Sequence, residues 1–191
     1  MRGRWLLFGT LLGLAACGRE PFLSTDVGAA AYGRDFRLAD HHGELRSLAD
    51  FRGKVVLLSF GYTHCPDVCP TTLAEAAAAV KALGPKADQV QVLFVTLDPA
   101  RDTPELLAQY VRHFHPGFLG LRGDEAETAR TATDFRVFWQ KTPGSTAEGY
   151  LIDHAAGSFV FDPQGRLRLY HGYASGAGPL VHDIELLLDG A

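Results

Sequence analysis

Lys54-Val55-Val56-Leu57-Leu58-Ser59-Phe60-Gly61-Tyr62-Thr63-His64-Cys65-Pro66-Asp67-Val68-Cys69-Pro70 decides how the rest of the chain is read. Its opening is a nearly continuous apolar run of strand length, β-branched in part, which suits a central strand buried on both faces. Beyond Pro70 the period becomes helical: over Thr71–Leu83, Leu73, Ala76, Ala77, Val80 and Leu83 share one face, and Gly84-Pro85 stops the pattern. Two thiols thus lie between the carboxyl end of a buried strand and a helix N-terminus, where ligand sites collect in open α/β sheets. Free N–H groups and the helix dipole favour a thiolate there. Pro70 has no N–H to give and fits only the first turn, so regular helix is expected from about Cys69 or Pro70. The turn between keeps both sulfurs within reach of one ion or of each other.

Working outward, Val90–Leu97 repeats the buried-strand signature and Asp98–Pro104 is a polar loop. Thr103 caps and Pro104 opens a helix over Glu105–Phe114. Phe118–Leu121 is a short strand, Asp124 caps a helix through Phe135, and Gln140–Gly149 is a turn-rich excursion. A strand Ser158–Phe161, a turn Asp162–Gly165, a partner strand Arg166–Tyr170 and a helix over Gly178–Leu188 close the chain. Upstream, Phe36–Leu38 and Glu44–Arg46 flank the turn Asp40–Gly43, predicting an N-terminal β-hairpin with His41 and His42 exposed. The order predicts one α/β domain over 32–191, a central mixed sheet flanked by helices, and matches a thioredoxin-like fold.

At 191 residues with 47% hydrophobic content, the chain supports one well-packed domain. A net charge of -4 without a basic block argues against a nucleic-acid partner. Arg2 and Arg4 precede the apolar run Trp5–Leu14, too short for a permanent bilayer span, and Leu14-Ala15-Ala16-Cys17 resembles a bacterial lipobox. Residues 1–16 then form a lipoprotein signal peptide, Cys17 is lipidated, and 17–31 link anchor to domain. This predicts a chain tethered to a membrane of the bacterial cell envelope, its domain outside the cytoplasm. A plain secretory signal, the competing reading, leaves Cys17 ordinary. Either way Cys65 and Cys69 remain, and so close a pair staples only a tiny loop, a weak structural use.

Thioredoxin-type reductases usually carry Cys-x-x-Cys, whereas this pair is Cys65-x-x-x-Cys69. The wider loop suits two thiolates sharing a metal without forbidding a disulfide. Thiolates select Cu(I) or Zn(II), and an added imidazole also accepts Cu(II). His154, read as lying on the loop before Ser158–Phe161, is the best candidate imidazole, against a plain histidine bonded within its loop; Asp153 beside it is a candidate acceptor for its ring. His64 precedes Cys65, but neighbours on an extended turn point apart. Asp98 ends the strand next to the thiol strand and is a candidate accessory group, or a loop cap. Arg101 and Asp102 read as a surface pair or loop brace.

Phe60–Pro70, Leu97-Asp98-Pro99-Ala100-Arg101-Asp102-Thr103-Pro104, and Asp153-His154 before Phe161-Asp162-Pro163-Gln164-Gly165 together resemble the Sco/SenC copper chaperones, over Gly33–Leu188. The resemblance implies a membrane-tethered, thioredoxin-like protein that binds one copper ion through Cys65, Cys69 and His154. It implies delivery to the dinuclear copper centre of cytochrome c oxidase, with the copper-bearing subunit as partner, beside other copper carriers or thiol reductases. In this reading the chain is an assembly factor rather than an enzyme, and a redox disulfide between Cys65 and Cys69, which cannot supply thiolates, couples copper loading to redox state. Ala155-Ala156-Gly157 stand where a reductase carries a cis-proline, which favours metal holding. Two competing readings are a thiol-disulfide oxidoreductase that reduces partner cysteines, and a thiol peroxidase with Cys65 peroxidatic.

Overall fold

The computed structural model describes residues 20–144 and 149–191. Strand β4 (Val55–Gly61) is buried along its whole length, as a continuous apolar run demands. It pairs in parallel with β5 (Val90–Thr96), from Val55 opposite Val90 to Gly61 opposite Thr96. On its other side it pairs antiparallel with β9 (Gly157–Phe161). Parallel pairing needs a crossover, and helix α1 (Val68–Ala82) supplies it, beginning one residue before the predicted Cys69. Helix α2 (Pro104–Phe114) connects β5 to β6 (Leu119–Arg122) in the same way, with Thr103 Oγ1 accepting from Leu106 N–H as the predicted cap. Helix α3 (Glu125–Asp134) opens on a capping box in which Asp124 and Glu127 satisfy each other's backbone N–H.

Four further strands complete the sheet: β1 (Thr25–Asp26), the hairpin β2 (Leu38–Asp40) and β3 (Leu45–Arg46), and β10 (Leu167–Gly172). Its order is β1-β10-β9-β4-β5-β6-β2-β3, a mixed sheet with the expected N-terminal hairpin at one edge. Helix α4 (Ala177–Leu188) packs on α1. Phe60, Phe135, Phe159 and Phe161 form a tilted and edge-to-face aromatic cluster in the core beneath β4 and β9.

Four expectations are corrected. The part of Gln140–Gly149 that is described is largely strand rather than turn: β7 (Trp139–Pro143) pairs with β8 (Tyr150–His154) as a separate two-stranded sheet, Trp139 opposite His154. Gln140, Lys141 and Pro143 are exposed, so this ribbon carries no alternating apolar face to announce it. His154 consequently ends a strand rather than sitting in a loop. Part of the stretch read as linker is docked: β1 pairs with β10, and the N–H groups of Leu23 and Ser24 donate to Asp183 at 2.7 and 2.8 Å. Asp183 is fully buried, so those two donors satisfy a carboxylate that would otherwise lie unpaired. Finally, His41 is buried, its Nδ1 accepting from Gly120 N–H at 3.0 Å, while His42 is exposed as expected. The signal peptide 1–16 and the lipidation site Cys17 lie outside the described residues, among which no helix is long and apolar enough to cross a membrane.

Candidate metal centre

β4 ends on a residue that must be glycine. A Cβ on Gly61 would lie 2.6 Å from Cys69 Sγ and 2.8 Å from the Phe94 ring, so the buried sulfur occupies space that any side chain would take. The chain then turns, Cys65 N–H donating to Tyr62 O at 3.2 Å, and enters α1 with Cys69 in its first turn. There the free N–H of Cys69 donates to Cys65 Sγ at 3.4 Å, the helix-terminus interaction that holds a thiolate. Cys65 is half-buried, Cys69 is buried, and both are free thiols.

β8 delivers the third group. His154 Nε2 lies 3.5 Å from Cys69 Sγ, while its Nδ1 lies 2.9 Å from Ala155 O. A carbonyl only accepts, so Nδ1 carries the proton and Nε2 turns its lone pair toward the sulfurs. The ring's acceptor is therefore the Ala155 carbonyl; Asp153 is exposed. The two Sγ atoms and the imidazole nitrogen all lie within 4.8 Å of one another, the one such grouping of three His, Cys, Asp or Glu side chains among the described residues. Two soft sulfurs and an imidazole form a donor set that fits copper in either common oxidation state.

The thiols are electrostatically unequal. A hydrogen bond from Cys69 pulls the Cys65 thiol down to about 4 against the opposing cost of burial, helped by the N–H groups of Asp67 and Cys69. The same hydrogen bond, then burial and the adjacent thiolate, push Cys69 well up. Without an ion, the sulfur nearer solvent is a thiolate and the inner sulfur holds the shared proton. An incoming cation would displace that proton. Tyr62, buried beside them, meets the His154 ring edge-on at 6.2 Å, and its hydroxyl is raised by burial.

The other candidates fall outside this triangle. His64 Nδ1 lies 3.1 Å from Thr63 Oγ1 and 3.7 Å from Asp102 Oδ1, so it faces the loop. Asp98 is fully buried but accepts from Tyr150 Oη at 2.8 Å and pairs with Arg101 Nε. Asp102, also fully buried, accepts from Thr63 N–H at 3.0 Å and Thr63 Oγ1 at 2.6 Å. Arg101 and Asp102 are thus two separate braces rather than a surface pair. The contribution of Tyr150 was not foreseen; the pairing of Asp98 with Arg101 one turn later was the signal available.

The SCO1/SenC family model matches residues 24–189. The protein "SCO2 homolog, mitochondrial" of Bos taurus is 38% identical over 171 residues, covering 88% of this chain and 64% of that protein. The chain spans a little under two thirds of the length of its mammalian relatives. The structure of Bradyrhizobium japonicum ScoI with copper bound is similar at 37% identity and a TM-score of 0.74, over 81% of this chain and 98% of that one. Apo Sco1 from Thermus thermophilus is similar at 40% identity and a TM-score of 0.74, over 87% of this chain and 95% of that one. A match running from β1 to the end of α4, around a dithiol and imidazole brought together by the fold, means that the chain belongs to the SCO1/SenC family.

Proposed function

We propose that this chain takes up one copper ion as cargo on Cys65, Cys69 and His154 and delivers it to the dinuclear copper site of cytochrome c oxidase. The observation that carries the reading is the convergence of two sulfurs and Nε2 within 4.8 Å. Support also comes from the copper-bound ScoI relative. The Cys65 thiolate attracts the cation, Cys69 gives up its proton, and His154 is already turned inward by its bond to Ala155 O. Three donors leave one side open to a thiolate of the acceptor, so the ion passes by ligand exchange. A Cys65–Cys69 disulfide supplies no thiolates, which couples loading to redox state. A lipid on Cys17 would hold the domain at the outer face of a bacterial membrane, within reach of the oxidase's copper-bearing subunit.

The low-lying thiolate of Cys65 beside protonated Cys69 favours a second reading, thiol-disulfide exchange with partner cysteines. Cys65 would attack a partner disulfide, and Cys69 would release the reduced partner as the intramolecular disulfide closes. Titration of the reduced protein with Cu(I) against a competing chelator tests the first reading. One equivalent bound, weakened by His154→Ala and lost in Cys65→Ser, is the expected result; no binding, or binding indifferent to both changes, overturns it. Reduction of a partner disulfide at equal rates in wild type and His154→Ala would favour the second.

A further inference from the structure

We infer that Arg101 is a positioning residue for this site: it clamps the β7–β8 hairpin to the body of the domain and thereby holds His154 against the two sulfurs. The inference rests on the copper-binding reading of the triangle. A two-stranded ribbon is marginal on its own in water, so its placement depends on what fastens it. Here the ribbon forms a sheet apart from the main one.

Beside the apolar packing of Ile152 and Trp139, its polar fastening converges on Tyr150, on the same strand as His154. Arg101 Nη1 donates to Tyr150 O at 3.2 Å, and the guanidinium carbon lies 3.7 Å from the centre of the Tyr150 ring. Arg101 Nε pairs with Asp98, whose other oxygen accepts from Tyr150 Oη at 2.8 Å. One planar cation thus engages the backbone and the ring of a single residue directly, and its hydroxyl through a shared carboxylate. The guanidinium also lies 5.8 Å from the centre of the Tyr62 ring, which in turn meets His154 edge-on. The side chain is only 16% exposed, Asp98 is not exposed at all, and Arg101 Nη2 is buried without a hydrogen-bond partner. Burying an ion pair and leaving the Nη2 amino group unmatched gives little net stability compared with apolar packing. What it gives is a fixed direction, because the guanidinium fork is planar and its bonds are angularly specific.

The same loop reaches the other half of the site. Asp102, adjacent to Arg101, holds Thr63 of the thiol turn through both its N–H and its hydroxyl. Asp102 N–H itself donates to Asp98 O at 2.9 Å, tying the two braces together. The loop therefore sets the spacing between the dithiol and the imidazole.

The test pairs Arg101→Met with Arg101→Lys in the full-length reduced protein. Hydrogen exchange of the amides at 150–154 is measured without copper, and Cu(I) affinity is measured with a competing chelator. For Arg101→Met, exchange at those amides should accelerate about tenfold while β4 amides are unchanged, and copper affinity should fall about tenfold. Lysine restores the charge beside Asp98 but neither the fork nor the stack, so its hairpin amides should stay fast. In a His154→Ala background, Arg101→Met should change affinity by less than about twofold, because the effect travels through His154. Unchanged hairpin exchange, full rescue by lysine, or an equal affinity loss without His154 would each overturn the inference. If Arg101→Met does not fold, Asp98→Asn/Arg101→Met removes both charges together and is read in the same way. Should the wild type bind no copper, the functional reading fails, and hairpin exchange still decides the clamp.

Discussion

Cys65 and Cys69 follow a strand of which all seven residues are buried, whereas His154 ends a strand of which Ile152 alone is buried. The dithiol is a product of the core: its inner sulfur is buried, filling with Phe94 the space in which a side chain on Gly61 would lie. The imidazole is carried by a peripheral ribbon, placed by the packing of Ile152, Trp139 and Tyr150 on the core and by a few polar contacts. A site so divided has one part set between the buried strand β4 and the start of α1, and another carried on a strand that is mostly solvent-facing. Under the proposed function, in which an ion is both held and surrendered, this would separate capture from release. Changes to the core should therefore act on the sulfurs, and changes to the ribbon should act on His154 alone.

Loss of a sulfur should have the largest effect. Cys65→Ser replaces a soft thiolate by a neutral hydroxyl, and Cu(I) affinity measured by chelator competition should fall by ~10³-fold or more. The fold should persist, since Cys65 is only half-buried and its neighbours on the turn are exposed. Gly61→Ala comes next and strikes the thiol half without touching a ligand. The added Cβ would overlap Cys69 Sγ at 2.6 Å, so chemical denaturation should show a loss of about 1–3 kcal/mol, with weakened copper binding. Unchanged stability there would break the claim that the core fixes the inner sulfur. His154→Ala should cost about 10–100-fold in copper affinity while leaving the thermal midpoint within about 2 °C, because the ring is partly exposed at the end of a peripheral strand. A large drop in midpoint would show that the ribbon supports the core after all.

The same division explains what the sequence disclosed. β4 and α1 were legible because burial on both faces leaves a continuous apolar run, and Gly84-Pro85 ends the helix visibly. The dithiol was legible because its spacing and its place after a strand are local facts. The ribbon was not: Gln140, Lys141 and Pro143 face solvent, and its partner strand begins only at Tyr150. The clamp was illegible for a related reason, since Arg101 and Tyr150 stand 49 positions apart and meet only in the fold. His41 misled in the opposite direction, a turn histidine that is buried because its ring accepts the N–H of Gly120 on another strand. β1 is too short to leave a pattern, and the buried carboxylate of Asp183, which holds the preceding backbone, stands about 160 positions away.

A pH experiment on the copper-free, reduced protein should give the smallest effect on stability. Cys65 is drawn from an ordinary thiol value of 9.0 to about 4, chiefly by the hydrogen bond from Cys69, so the folded chain releases this proton far more readily than the unfolded chain does. Between those values the unfolded state binds more protons, and stability from this group rises with pH. It is fully present above pH 9.0 and is lost as pH falls through about 4. Because Cys65 is half-exposed, solvent screens the interaction and the slope should be shallow. Denaturant unfolding of wild type and Cys65→Ser at several values between pH 5 and 9 isolates it, since only the wild type carries the thiol's contribution. Alkylation supplies the sharper reading: Cys65 should react with iodoacetamide well below pH 7, while Cys69, buried and raised, stays protected until the protein unfolds. Equal reactivity of the two thiols would mean that they share the charge, and that the inner sulfur is not the fixed proton holder that an incoming ion displaces.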